Sequence, residues 1–246
     1  MSTAPLVQVE QLERRLSESF RLAIPKLEIA RGETLAIVGP TGSGKSTLLK
    51  LLAGLAPSDS GSITVDGHSM ADTAARESLR HSIAWMPQSP LLQRGSVRYN
   101  VDYGLRIRSG SDRAAHAKQV GEILDRLGLS SLAAQSSRTL SGGQVQLTAL
   151  ARALVVEPTL LCIDEPTSNL DPARTALVET TLRAFANERR PTIVWATHNL
   201  FQARRTADRV CLLLEGAPVE IATAEDFFDR PRDPRTADFV AGKMIY

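Results

Sequence analysis

Thr34-Leu35-Ala36-Ile37-Val38-Gly39-Pro40-Thr41-Gly42-Ser43-Gly44-Lys45-Ser46-Thr47-Leu48-Leu49 sets the architecture. Its apolar start reads as a buried strand. A glycine-rich loop follows, and then Leu48, Leu49, Leu51, Leu52 and Leu55 recur at helical spacing until Pro57 and the Ser58-Asp59-Ser60-Gly61 turn stop the pattern. Gly39 to Ser46 matches G-x-x-x-x-G-K-[ST] in the context that gives the pattern meaning, a strand before and a helix after. Glycines let the backbone curl with successive N–H groups pointing inward, and the helix N-terminus adds the positive end of its dipole. Such a loop is built to receive a di- or triphosphate. Lys45 is assigned to the β- and γ-phosphates, the Ser46 hydroxyl to Mg2+ as a hard oxygen ligand, and Thr47 to the α-phosphate.

Working from that loop toward the C-terminus, Leu160-Leu161-Cys162-Ile163 runs directly into Asp164 and Glu165. A buried strand ending in two carboxylates delivers acids to the C-terminal edge of a sheet, where ligands bind in open α/β folds. Asp164 is expected to hold Mg2+ through water. Glu165, the next residue, is placed to polarise the water that attacks the γ-phosphate. Gln88 ends another short apolar strand, His81–Gln88, and His198 ends the strand Pro191–His198. A lone histidine at a strand end is often incidental, so the residues alone leave its role open.

Strand-like segments at the N-terminus and a hairpin turning at Asp66-Gly67 come before a long helical stretch, about residues 90–157. Strand and helix then alternate again, which argues for an α/β fold with a parallel sheet covered on both faces. The tail from Ala224 reads as one or two short helices.

The chain has 246 residues, 43% hydrophobic and 23% charged, enough for an ample core and neither disordered nor fibrous. A formal charge of +2 leaves no broad basic field, so nucleic acid is excluded as a general partner and phosphate recognition must be local. No apolar run approaches the roughly 18–20 residues that span a bilayer. The N-terminus lacks a secretory pattern, so secretion is not expected. Cys162 and Cys211 lie in short apolar runs and are expected to be reduced core residues of adjacent buried strands.

Leu140-Ser141-Gly142-Gly143-Gln144 opens a predicted helix between the phosphate loop and the acidic strand end. With Gln88, Cys162–Pro166, Ser168-Asn169-Leu170-Asp171 and His198, all in this order over about residues 30–200, the chain resembles the ATP-binding subunits of ABC transporters. The resemblance implies a P-loop NTPase (RecA-like) core with a mixed sheet, an N-terminal antiparallel β subdomain and an inserted α-helical subdomain. It also implies one domain over 1–246, with 1–88 and 158–246 as core and 89–157 as the helical insert. ATP and Mg2+ would be the cofactors, with Ser46, Gln88 and Asp164 as metal-site residues and Glu165, Gln88 and His198 as the catalytic group. Ser141, Gly142, Gly143 and Gln144 would face the nucleotide of a second copy, since a helix N-terminus there is a second anion cradle and two subunits meet head to tail.

Further partners implied are transmembrane permease subunits on separate chains and, indirectly, an extracytoplasmic substrate-binding protein, which puts this chain peripherally on the cytoplasmic face of the membrane. Ser89–Leu105 corresponds to the docking surface for the permease, with Leu91, Leu92, Val97 and Tyr99 as exposed candidates. The chain departs from the family pattern in two places. The adenine-stacking region holds Arg14, Arg15 or Leu16, with Phe20 reached only by shifting the alignment, and Leu147 stands where a basic residue is usual, at the loss of an external charge contact. The segments Ala196–Val210 and Phe227–Tyr246 resemble importers of oxyanions, of the tungstate type with molybdate and phosphate importers nearby. The alternatives are an importer of another small solute and a soluble ABC ATPase of the metal-cluster assembly kind.

Overall fold

The computed structural model describes residues 4–109 and 113–243. Residues 244–246, the end of the tail, lie outside them. Along the chain, β1 (Val7–Arg15) and β2 (Arg21–Ile29) form a hairpin, and β3 (Thr34–Val38) leads through the phosphate loop into α1 (Lys45–Leu52). β4 (Ser60–Val65) turns at Asp66-Gly67 into the short β5 (His68–Ser69), followed by α2 (Thr73–Leu79) and β6 (Ile83–Met86). Then come α3 (Val97–Ser109), α4 (Arg113–Arg126) and α5 (Gly142–Leu154). β7 (Leu160–Asp164), α6 (Pro172–Arg189), β8 (Thr192–Ala196), α7 (Leu200–Thr206) and β9 (Arg209–Leu214) restore the alternation, and β10 (Ala217–Thr223), α8 (Ala224–Asp229) and α9 (Pro234–Val240) close it.

Two sheets result. The antiparallel sheet has the order β2-β1-β4-β5, and the larger one β10-β9-β3-β8-β7-β6. β9, β3, β8, β7 and β6 run parallel, and β10 is antiparallel to β9, so the large sheet is mixed. β3, β7 and β8 are buried at every position, as parallel strands covered on both faces must be.

α1 presents Leu48, Leu49, Leu51 and Leu52 to a core shared by one face of the large sheet and the antiparallel sheet. Each such leucine contributes about 1.5–3 kcal/mol by leaving water. The opposite face packs against α3, α4, α5 and α6. A third cluster, with Phe227 and Phe228, seals β3 and β9 beneath α7 and α8.

Cys162 and Cys211 are both buried free thiols, but they do not lie on adjacent strands: β8 and β3 separate β7 from β9. An apolar run reports burial and carries no information about lateral order, which the crossover connections set. Burial pushes both thiols up to about 12.

Candidate functional site

Four neighbouring strands, β3, β8, β7 and β6, deliver their C-terminal ends to one edge of the sheet. There the phosphate loop, Gln88, Asp164, Glu165 and His198 surround a cleft of about 530 Å³, which Leu16, Phe20, Thr41, Gly42, Gly44, Lys45, Ser46 and Thr47 also line. Gly39 is glycine for a packing reason. Its φ is 150°, and a Cβ there would lie 2.2 Å from the Leu213 carbonyl oxygen on β9. Pro40 and Ser43 complete the loop: Lys45 Nζ donates to the Gly39 and Pro40 carbonyls at 2.8 Å each, and the Ser43 carbonyl accepts from Gly216 N at 3.1 Å.

At the acidic end, Asp164 is only 4% exposed and lies beside the Ser46 side chain. Burial raises its pKa, opposed by Ser46 and by the charges of Lys45 and Lys50. Its Oδ1 is buried with no partner among the described residues. A partnerless carboxylate oxygen beside a hydroxyl is a hard-oxygen set that fits Mg2+. Lys45 shows the mirror effect, its pKa lowered by burial against the pull of Glu165 and Asp164.

Glu165 has φ 49°, a left-handed conformation that costs an L-residue about 1–2 kcal/mol. Its N–H donates to the Ala196 carbonyl at 2.9 Å, and its carbonyl accepts from Gln146 Nε2 at 3.2 Å. His198 Nδ1 stands 2.9 Å from Glu165 Oε2, so these two expected catalytic groups do meet. The imidazole is otherwise open to solvent, its side chain 69% exposed.

Ser141, Gly142, Gly143 and Gln144 do not line this cleft. They form the N-terminus of α5, closed by a reciprocal capping box: Gln144 N donates to Ser141 Oγ, and Ser141 N donates to Gln144 Oε1. Of the stacking candidates, Leu16 and Phe20 face the cleft, whereas Arg14 is paired with Asp59 at 2.6 Å and Arg15 N donates to the same carboxylate. Neither Arg14 nor Arg15 is among the described residues that line the cleft.

Two expectations change. Val97 is fully buried in the helical core and Leu92 is partly buried against it; Leu91, at 86%, and Tyr99 remain exposed. Val97 starts α3 and turns its side chain inward, which an apolar loop-to-helix sequence does not reveal. Leu147, where a charge was expected to be lost from the exterior, is itself a core residue.

Gln146 and Gln202, both 1% exposed, are not among the site residues expected from the sequence. Gln202 Oε1 accepts from Thr167 Oγ1 at 3.1 Å and from Thr197 Oγ1 at 3.2 Å, tying the segment after Glu165 to the segment before His198. A polar residue on the apolar stripe of each helix was the available signal.

Residues 22–168 match the family model described as ABC transporter. The chain belongs to the ABC transporter family. This ABC ATPase is 42% identical over 230 residues to the phosphate import ATP-binding protein PstB 2 of Natronomonas pharaonis, covering 89% of this chain and 81% of that protein. It is 33% identical to the molybdate/tungstate import ATP-binding protein WtpC of Thermococcus kodakarensis, covering 98% and 72%. Among solved structures, cbiO1 of Clostridium perfringens, part of the ABC transporter complex cbiONQ, superposes with a TM-score of 0.82 at 30% identity, covering 96% of this chain and 95% of that one. A dimeric ATP-binding cassette in a post-hydrolysis state bound to ADP and Pi gives 0.78 at 27%, covering 89% and 98%. The P-loop NTPase core with its mixed sheet is thus the ABC ATPase fold, and the chain is an ATP-binding ATPase.

Proposed function

We propose that this ABC ATPase powers an importer of an inorganic oxyanion and works head to tail with a second copy of itself. The observation that carries the reading is a division of parts. Lys45, Ser46, Gln88, Asp164, Glu165 and His198 converge on one cleft, while the anion cradle at the start of α5 lies outside it. A cradle that its own cleft does not use is available to another copy. That one similar structure is dimeric supports pairing of two copies.

In this reading Leu16 and Phe20 receive the base, and the loop amides with Lys45 receive the phosphates. Ser46, Gln88 and Asp164 would hold Mg2+, which when bound neutralises charge on the β- and γ-phosphate oxygens. Glu165 accepts a proton from the water that attacks the γ-phosphorus as the bond to the bridging oxygen breaks, and His198 Nδ1 steadies the receiving carboxylate. Hydrolysis removes the phosphate that bridges the pair, so nucleotide state sets dimer state.

Relatives named for phosphate, sulfate or thiosulfate, and molybdate or tungstate support an oxyanion cargo; methionine is the departure among them. Tungstate, toward which the tail points, is one member of that class. No helix among the described residues is long and apolar enough to cross a membrane, so the pathway would come from permease chains. The subunit would sit peripherally on their cytoplasmic side, with Leu91 and Tyr99 on the contact surface, and an extracytoplasmic binding protein would bring the cargo.

The test is Glu165→Gln with saturating ATP, followed by size-exclusion chromatography. A stable dimer that ADP does not support is the expected result, and a monomer overturns the paired mechanism. For cargo, the reconstituted transporter should be stimulated by a binding protein loaded with oxyanion. Stimulation by an amino acid alone would overturn that part.

A further inference from the structure

Glu165 is held at both of its peptide bonds. On one side its N–H is fixed to Ala196 at the end of β8, at 2.9 Å. On the other side the peptide joins Pro166, which has no N–H, so the carbonyl is the only polar handle by which that peptide unit can be held. Among the described residues two donors reach it. Ser168 N, at 3.3 Å, belongs to the same turn and moves with it. Gln146 Nε2, at 3.2 Å, comes from α5 and attaches the turn to the body of the molecule.

The left-handed φ of 49° at Glu165 makes such an attachment consequential. An L-residue in that region relaxes toward the right-handed or extended wells unless its surroundings over-determine it. Gln146 is 1% exposed, so water does not compete for its amide. The carboxylate that this backbone aims is the one facing His198.

We infer that Gln146 is a positioning residue for hydrolysis: its amide pins the Glu165 carbonyl, keeps the backbone left-handed, and so aims the carboxylate at the attacking water. Gln146 does not itself line the cleft; it reaches the site only through the Glu165 carbonyl, so nucleotide binding should not depend on it. The role rests on the hydrolytic reading of Glu165 given above.

Gln146→Met keeps the length of the side chain and removes the donor. The expected result is a fall in kcat of about five- to tenfold, the equivalent of one buried hydrogen bond, with KM for ATP and the affinity for ADP unchanged within about twofold. Gln146→Asn keeps the amide but shortens its reach by one methylene and should reduce kcat in the same direction; it carries the test by itself if the methionine variant does not fold. Full-speed turnover in a folded variant, or KM rising in step with falling kcat, overturns the inference. Glu165→Gln run alongside separates the two claims. If it forms no ATP-dependent dimer, the underlying reading fails, whereas if it does and the Gln146 variants turn over normally, only the positioning role fails.

Discussion

Asp164 and Lys45 stand in one cleft, and burial works against the charge of each. The pKa of Asp164 is raised above its ordinary 3.8, so the folded chain holds that proton more tightly than the unfolded chain. The cost is absent below 3.8 and is reached in full as pH rises through the elevated value. Asp164→Asn should therefore melt higher than the parent near neutrality without nucleotide, by about 2–4 °C for each kcal/mol relieved, and the two should converge as pH falls through the carboxylate range in thermal scans. Lys45 has the opposite sign: its pKa is lowered, so its cost is present at neutral pH and is relieved as pH rises through the folded value toward 10.5. Lys45→Ala should keep the fold and lose ATP affinity by more than about tenfold in fluorescent-nucleotide titration, since a phosphate-facing charge is removed. Lys45 was legible because strand, glycine spacing and helix all constrain one short segment, and Asp164 because a continuous apolar run ends at it. The bond from Gln146 to Glu165 was not legible, because the two are far apart in sequence and meet only when α5 packs against the sheet edge.

At the scale of the element, α5 has a serine cap followed by glutamine three positions later, then an apolar stripe, a start signal a sequence can show. Ser141→Ala removes the cap hydroxyl and should cost about 1 kcal/mol, seen as a melting point lower by about 2–4 °C. ATP binding to the single chain should persist, while ATP-dependent pairing of a Glu165→Gln background should weaken in sedimentation. β7 and β8 were equally readable, since continuous apolar runs are what a strand buried on both faces requires. β10 was not read at all: it contains Pro218, sits at the sheet edge and is half-buried along most of its length, so neither alternation nor an apolar run marks it. The burial of Val97 was missed for a related reason, since a residue at the first position of a helix has no preceding turn to establish which face it occupies.

At the scale of the whole molecule, the turn between β9 and β10 joins both sheets to the phosphate loop. Gly216 N donates to the Ser43 carbonyl, and the Gly216 carbonyl accepts from Ala23 N on β2 at 2.7 Å. With φ at 80°, a Cβ at Gly216 would fall 2.1 Å from the Arg21 carbonyl oxygen. Gly216→Ala is expected to destabilise the chain by more than about 2 kcal/mol and to weaken ATP binding from outside the cleft, measured by urea unfolding and nucleotide titration. No sequence pattern announces that joint, because it depends on how two sheets meet. The two sulfur atoms, sealed at opposite ends of a four-strand span, have a practical corollary. Since both are screened from maleimides and the chain has no other cysteine, one thiol introduced on the exterior would be a unique attachment point for a dye or spin label, with the native residues left in place.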